Sequence, residues 1–358
     1  MAVSRIDEAG LNINQYGNRN LIINGAMQVS QRTTSDSSIS DNEFVCDRFS
    51  LRTSNAGWYG AEQSTDAPTG FSHSIKFEST GANSPAAGAY IFFAQKIEGF
   101  NSAHLEFGTS NAKTITISFH IKSSLTGTFG GSLRNSAQNR SYPFSFTISS
   151  ANTWEYKTVT IAGDTTGTWI GSTNGIGLDV LFNLGSGTNN QGTAGAWAAA
   201  GYLKPTGAVN LVETSGATLF FTGFQLEVGD TATDFEHRSF SDELSRCQRY
   251  FTRFGGTNTY DLVAIGGIAS SSTTVQCGCV FPTRMRATPS VAMTDLAIAD
   301  SVNPQISVDS VNVSSSVSND QMAWQSFITS GGVTQYRPYY VRVNNNSTTG
   351  GLKFDAEL

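Results

Sequence analysis

The sequence predicts an all-β protein: an antiparallel jelly-roll β-sandwich followed by a smaller C-terminal β-sandwich, the two joined by a short helix. Three observations predict it. Apolar and polar residues alternate with a period of two over most of the chain, helical periodicity is nearly absent, and the alternating runs are separated by Gly, Ser, Asn and Thr. Strands that follow one another without intervening helical segments argue against a parallel α/β sheet, so nucleotide-binding α/β folds drop out.

The clearest strand is "KTITISFHIKS", in which Ile115, Ile117, Phe119 and Ile121 point one way while Thr116, Ser118, His120 and Lys122 point the other. Similar runs are "RFSLR" (48–52), "HSIKFES" (73–79), "AYIFFAQKIEG" (89–99), "YPFSFTI" (142–148), "WEYKTVTI" (154–161), "GLDVLFNLG" (177–185) and "ATLFFTGFQLEV" (217–228). Together they make about eight strands, the count and punctuation of a jelly roll. The Gly-rich stretches "GTFGGS" and "NLGSGTNNQGTAGAWAAAG" read as surface loops, because no Lys-Ser/Thr pair or helix start follows them as a phosphate loop requires. Trp154, within a strand pattern, is assigned to the core.

A helix is expected at "SDELSRCQRYF", where Ser241 can cap, Asp242 and Glu243 suit the positive end of the helix dipole, and Leu244, Cys247 and Phe251 share a face. The domain reading is an extended arm over 1–20, a jelly-roll domain over 21–240, a linker helix over 241–254 and a C-terminal β-sandwich over 255–358. The arm shows little alternation and is read as a segment ordered by a partner.

Composition excludes several classes. With 22 Lys plus Arg against 28 Asp plus Glu, net charge −6 and no basic run, the chain offers no track for phosphates, and nucleic acid is not expected as a partner. The first residues lack the apolar core of a signal peptide and no stretch approaches a membrane span, so folding in a cytoplasm without membrane insertion is expected. Cys46, Cys247, Cys277 and Cys279 are read as reduced thiols, with Cys277 and Cys279 on one face of a strand as buried apolar residues rather than metal ligands.

"GFQLEVGDTATDFEHRSF" gathers Asp234, Glu236, His237 and Arg238 just after an aromatic strand. A carboxylate beside an imidazole could serve acid–base chemistry. Catalytic sets are usually assembled from separate elements, however, and the chain has no nucleophile elbow, HExxH or Asp-rich metal loop. The preferred reading is a polar turn at the domain junction in which Arg238 pairs with Asp234 or Glu236 and His237 satisfies backbone carbonyls. His73, His104 and His120 are scattered and are read as packed or surface residues.

"NRNLIINGAMQVSQR" (18–32), "FVCDRFSL" (44–51) and "TGFQLEVGDTATDFEHRSFSDELSRCQRYF" (222–251) resemble the framework of a family of bacteriophage tail-fibre and receptor-binding proteins. "FPTRMRATPSV" (281–291) and the terminal "FDAEL" (354–358) resemble that family's C-terminal domain. The resemblance implies a carbohydrate-binding-module-like jelly roll and a small β tip, carried on a virion as a homotrimer and attached to other virion proteins of tail or capsid through the N-terminal arm. Ile6, Leu11, Ile13 and Tyr16 would supply the arm's anchoring contacts. The partner implied at the distal end is host cell-surface polysaccharide.

Ser, Thr, Asn and Gly loops supply neutral donors and acceptors for sugar hydroxyls, and aromatic rings stack on pyranose faces. Trp58 and Tyr59 in "NAGWYGAEQ", and Trp197 and Tyr202 in "AGAWAAAGYLKP", sit in polar or Gly/Ala surroundings and are the glycan-binding candidates. No cofactor is expected. A structural calcium of the kind held by carbohydrate-binding jelly rolls stays unplaced, for want of a clustered Asp loop. The alternatives are a structural capsid or tail decoration without glycan specificity and a polysaccharide depolymerase. The latter is disfavoured because no solenoid repeat or paired acids stand out.

Overall fold

The computed structural model describes residues 18–256, 258–302, 305–313 and 322–358, and the chain divides into two compact units, one ending at Phe240 and the other beginning at Ser241. The anchoring residues Ile6, Leu11, Ile13 and Tyr16 lie outside the described residues.

The first unit is a two-sheet antiparallel sandwich. In chain order its strands are β1 (Ser35–Asp36), β2 (Ser50–Thr53), β3 (Tyr59–Ser64), β4 (Ser74–Ser79), β5 (Ile91–Glu98), β6 (Ile115–Ser123), β7 (Gly127–Arg134), β8 (Ser141–Ile148), β9 (Glu155–Ile161), β10 (Ile176–Asn183), β11 (Gln191–Gly192), β12 (Lys204–Pro205) and β13 (Thr218–Val228). One sheet runs β1-β3-β4-β13-β6-β9 and the other β2-β5-β10-β7-β8, with β11 and β12 as a separate parallel pair. This is the jelly-roll class the alternation predicts.

The inner faces meet in an aromatic core. Phe93 stacks on Phe77 and Phe182 at ring separations of 4.7 and 5.2 Å, and Phe119, Phe221 and Phe224 close around Phe182. Each fully buried Phe contributes about 2–3 kcal/mol of transfer free energy, so this cluster supplies much of the force that presses the sheets together.

Two stretches differ from expectation. "GTFGGS" is not a loop but most of β7, which lies between β10 and β8. A Cβ on Gly130 would come within 2.5 Å of Pro205, and one on Gly131 within 2.0 Å of the Leu181 carbonyl, so only glycine fits there. The segment after β10 is also more than a surface loop: Leu203 packs with Phe92, Ala94 and Leu181 and covers the outer face of the five-stranded sheet.

The segment 18–32 closes the sandwich by buried hydrogen bonds rather than as a strand. Asn20 Nδ2 donates to the Phe224 carbonyl (3.1 Å) and its Oδ1 accepts from the Leu226 N–H (3.1 Å), which ties it to β13. Gln95 of β5 exchanges two bonds with the Ile23 backbone, at 2.8 and 2.7 Å. Asn24, buried at φ +60°, donates to the carbonyls of Val29 and Asp47 and accepts from the Val29 N–H. Asp47 in turn accepts from Gln31. The stretches 18–32 and 44–51 are thus polar stitching between the two sheets.

The second unit begins with the helix, which spans Phe240–Gln248; residues 251–254, expected as part of it, are strand. Its strands are β14 (Phe251–Phe254), β15 (Leu262–Ala269), β16 (Thr274–Val280), β17 (Ser290–Thr294), β18 (Leu296–Ala299), β19 (Ile306–Ser307), β20 (Ser310–Val313), β21 (Met322–Ile328), β22 (Pro338–Val343) and β23 (Gly351–Asp355). They form a three-stranded sheet, β14-β23-β17, and a seven-stranded sheet, β19-β18-β22-β15-β16-β21-β20. Phe251–Phe254 extend because they pair residue for residue with the C-terminal strand, Phe251 opposite Asp355 and Phe254 opposite Leu352. Phe281, Met285 and Phe354, from the stretches 281–291 and 354–358, are buried in this unit's core.

All four cysteines are buried and outside any disulfide, and Cys277 and Cys279 face the second core side by side on β16. Burial pushes both thiols up to about 12, which keeps them protonated and inert at neutral pH.

Replacing Asn24 by Ala removes three buried hydrogen bonds and strands the Val29 N–H and two carbonyls, so it lowers the stability of the full chain by about 3 kcal/mol in urea unfolding. A loss below about 0.5 kcal/mol would show that the stitching is incidental.

Candidate functional site

Alternation leaves every second residue of the six-stranded sheet on its outer face, and register aligns those residues in rows. Glu62 of β3 pairs with Lys76 of β4, Lys76 with Phe220 of β13, and Phe220 with Lys122 of β6. Trp154, immediately before β9, completes the row: its ring lies 6.2 Å from Phe220, and the Lys122 ammonium sits over both rings at 4.2 Å (Phe220) and 5.3 Å (Trp154). In the next row Thr222 pairs with His120 and His120 with Tyr156, whose ring is 5.0 Å from the imidazole and half exposed.

The loop between β3 and β4 borders this face. Asp66 accepts from the Trp154 indole N–H (3.1 Å) and pairs with Lys122; the Lys122 hydrogen bond is the main cause holding its carboxyl below the usual range. Phe71 lies 5.2 Å from His120 and about as close to Phe235 and His237. That approach requires Gly223, at φ +63° in the bulge of β13: a Cβ there would stand 2.7 Å from the Phe71 ring and 2.9 Å from His120 Nδ1. Burial pushes the His120 imidazole down, so it is neutral at pH 7 and serves as a flat ring.

Toward β1 the face continues into a cleft of about 710 Å³ lined by Asp36, Glu62, Lys76 and Glu78. The Lys76 ammonium bridges the two glutamates at 3.1 and 2.9 Å, and its bond to Glu78 leads the causes that hold its pKa above the ordinary range. Rings beside a polar cleft can stack on an apolar sugar face while donors and acceptors take hydroxyls. Among the described residues no group of three or more His, Cys, Asp or Glu is placed to hold a metal ion.

The aromatics singled out from sequence lie elsewhere. Tyr59 is a β3 residue with none of its surface exposed; it faces inward onto Phe77, so it presents no ring to a ligand. Trp58 is half-buried against the same core. Trp197 donates its indole N–H to the Ala162 carbonyl (2.8 Å) and stands edge-on to Trp169, Phe107 and Tyr142 in a cluster that pins three loops. Beside it Trp169 donates to Asp164, which is itself ion-paired with Arg140. Tyr202 is half-buried, its ring packed over Gly192. Tyr59 and Trp58 thus pack on the core and Trp197 is tied into a loop cluster, whereas Trp154, expected in the core, lies on the outer face. Tyr156 shares its phase, two residues on, and that shared phase was the readable signal.

The corner Asp234, Glu236, His237 and Arg238 closes the first unit on its own leading segment. Glu236 accepts from the Asn20 N–H (2.8 Å) and pairs with Arg238 at 3.1 Å; Arg238 donates to the carbonyls of Asn20 and Ile22. The Asp234 carbonyl accepts from Arg19. The ion pair is therefore with Glu236, and the His237 ring packs on Phe71 and Phe235 rather than capping carbonyls.

No family model matches the chain, and no curated protein does. Among solved structures, the enzymatically active domain of tailspike protein 4 of bacteriophage CBA120 is similar at 13% identity and a TM-score of 0.32, over 59% of this chain and 22% of that one. This chain thus spans about a fifth of that protein's length. A family 11 carbohydrate-binding module from Clostridium thermocellum, in complex with a mixed-linked tetrasaccharide, is similar at 12% identity and 0.28, over 57% and 99%. The module TmCBM61, in complex with a galactotriose, is similar at 8% and 0.30, over 59% and 99%.

Burial alone would raise the Glu236 pKa, but the Asn20 N–H, the Arg238 charge and the Asn18 N–H outweigh it and hold the carboxyl below its ordinary value. A depressed folded pKa stabilises above the unfolded pKa of about 4.3, and that stability is lost as pH falls through the folded value. The Glu236→Gln variant therefore melts below wild type at pH 7, and the gap closes as the pH is lowered below about 4, read by thermal unfolding at each pH. A gap that is constant with pH would contradict the assignment.

Proposed function

We propose that the chain is a non-catalytic, glycan-recognising component of a bacteriophage particle, a tail-fibre or receptor-binding protein, and that the outer face of the six-stranded sheet meets host cell-surface polysaccharide. The observation that carries the glycan reading is the ring surface of Trp154, Phe220, Tyr156 and His120 beside a polar cleft. Such a surface suits a saccharide because each ring offers an apolar plane while the neighbouring Lys122, Asp66 and Glu62 supply hydrogen-bonding groups.

Placement on a virion rests on the resemblance of the stretches at 18–32, 44–51 and 222–251. In this reading the residues that precede the stitched segment 18–32, Ile6, Leu11, Ile13 and Tyr16 among them, attach the protein to tail or capsid, and three copies associate. The same stretches hold structural roles in the fold, as the stitching by Asn20 and Asn24 illustrates. No cofactor and no catalytic residue enters the reading; Glu62 and Glu78 are both tied to Lys76, an arrangement that supports binding rather than proton transfer.

Stacking on one ring is worth about 1 kcal/mol or more, so Trp154→Ala and Tyr156→Ala each weaken binding to surface polysaccharide from a cell that adsorbs the protein by about tenfold, measured by calorimetry. Incubation with that polysaccharide releases no new reducing ends. Wild-type affinity in the Trp154→Ala/Tyr156→Ala double variant, or release of reducing ends, would overturn the proposal.

A further inference from the structure

The segment that covers the five-stranded sheet holds a lysine without a counter-charge. Lys204 of β12 is only 4% exposed, and a lysine so buried ordinarily pairs with a carboxylate. Among the described residues Lys204 makes no ion pair; its Nζ donates instead to the side-chain Oδ1 of Asn210 at 2.9 Å. Burial pushes its amine below the ordinary lysine range, against the opposing charge of Glu213, and so raises the neutral fraction at a given pH.

Asn210 is held in its turn. It stands at the N-cap of the 3-10 turn Leu211–Glu213, where an Asn side chain ordinarily bonds the turn's own backbone, yet it makes no such bond. Its Oδ1 accepts a second time, from Asn183 Nδ2 of β10 (3.1 Å), and its Nδ2 donates to Glu213 Oε1 (2.8 Å). Two donors on the oxygen and a carboxylate on the nitrogen fix which end of the amide is which. Asn183 is 3% exposed and accepts the Ser186 N–H on its own Oδ1 (2.7 Å), so its donor is fixed in place. An amine set against an amide whose oxygen takes two hydrogen bonds and whose nitrogen touches a carboxylate has the parts of an acyl-transfer site.

We propose that Lys204 and Asn210 join through a self-catalysed isopeptide bond between Nζ and Cγ, with Glu213 as proton relay and Asn183 as the donor that holds Oδ1. Oδ1 and Cγ are bonded at about 1.23 Å, so an amine beside the first atom reaches the second by a small side-chain rotation. The neutral Nζ attacks Cγ and the carbonyl electron pair moves to Oδ1, where the Asn183 N–H meets it. At this stage both nitrogens are bonded to one carbon, so Glu213, already on Nδ2, carries a proton from Nζ to Nδ2. The pair on Oδ1 returns, the Cγ–Nδ2 bond breaks, and the nitrogen leaves as ammonia. One amide replaces another and nothing is oxidised or reduced. Glu213 is exposed, which gives the ammonia a way out. The bond pins the covering segment, whose Leu203 packs on Phe92 and Leu181 and whose Pro205 lies over Gly130, in a chain whose cysteines form no disulfide.

The test is the intact mass of the purified full chain, followed by peptide mapping. Wild type is lighter than its sequence by one ammonia, about 17 Da, and fragmentation of the peptide that spans β12 yields no backbone fragments between Lys204 and Asn210. Lys204→Arg, which keeps the charge and a donor, has the full sequence mass. Glu213→Gln, at an exposed position, keeps the native circular dichroism and acquires the loss on the order of a hundredfold more slowly. Conversion speeds up as pH rises, because the neutral amine is the attacking form.

The pairs Asn24-Gly25 and Asn174-Gly175 can also lose ammonia, as cyclic imides, and a loss from either persists in Lys204→Arg. Full sequence mass in wild type after prolonged incubation at pH 8, a loss that persists in Lys204→Arg, or conversion of Glu213→Gln at the wild-type rate would overturn the proposal. None of these readouts involves polysaccharide, so the proposal stands or fails apart from the glycan reading.

Discussion

The first unit depends on one constraint: every polar group that the leading segment carries into the interior has to find a partner there. Asn20, Asn24, Gln95 and Asp47 are almost wholly buried, and their bonds run mostly to backbone groups of β13, of the segment itself and of Asp47. A buried amide without partners costs more than a paired one contributes, so the network is satisfied as a whole or it fails as a whole. Glu236 and Arg238 extend it to the far side of β13, where they fasten the last residues of the unit to the first ones described. The aromatic core presses the two sheets together, and this network selects one arrangement of them.

That rigidity has a consequence on the outer face. β13 carries Phe221, Phe224 and Leu226 into the core and Phe220 and Thr222 outward, with Gly223 absorbing the bulge between the two sets. Once β13 is held by Asn20 from one side and by β4 and β6 along its edges, Phe220 is held as well, and Trp154 and Lys122 are positioned against it. With Phe220 and His120 fixed on central strands, and Trp154 and Tyr156 packed against them at the edge strand β9, the surface presents its rings at low entropic cost to a ligand.

The fold class was legible because period two is a direct imprint of a half-buried strand, as Ile115, Ile117, Phe119 and Ile121 illustrate. The Gly-rich strand β7 was not, since the meaning of Gly130 and Gly131 lies in Pro205 and Leu181, which arrive from distant parts of the chain. The site was less legible for a related reason. Tyr59 sits among polar neighbours in sequence, yet its strand phase turns it inward, while Trp154 sits in a strand-like run and its phase turns it outward. Phase relative to the partner strands separates the two, and partners are known only once register is.

The central claim, that rings on the outer face of the six-stranded sheet meet polysaccharide, is tested most directly by hydroxyl-radical footprinting of the full chain with and without host surface polysaccharide. The account predicts that Trp154, Tyr156 and Phe220 are shielded from oxidation in the complex while Trp58 and Trp197 react as in the free protein. Unchanged oxidation of Trp154 and Tyr156 in a saturated complex, with shielding around Trp197 instead, would contradict it.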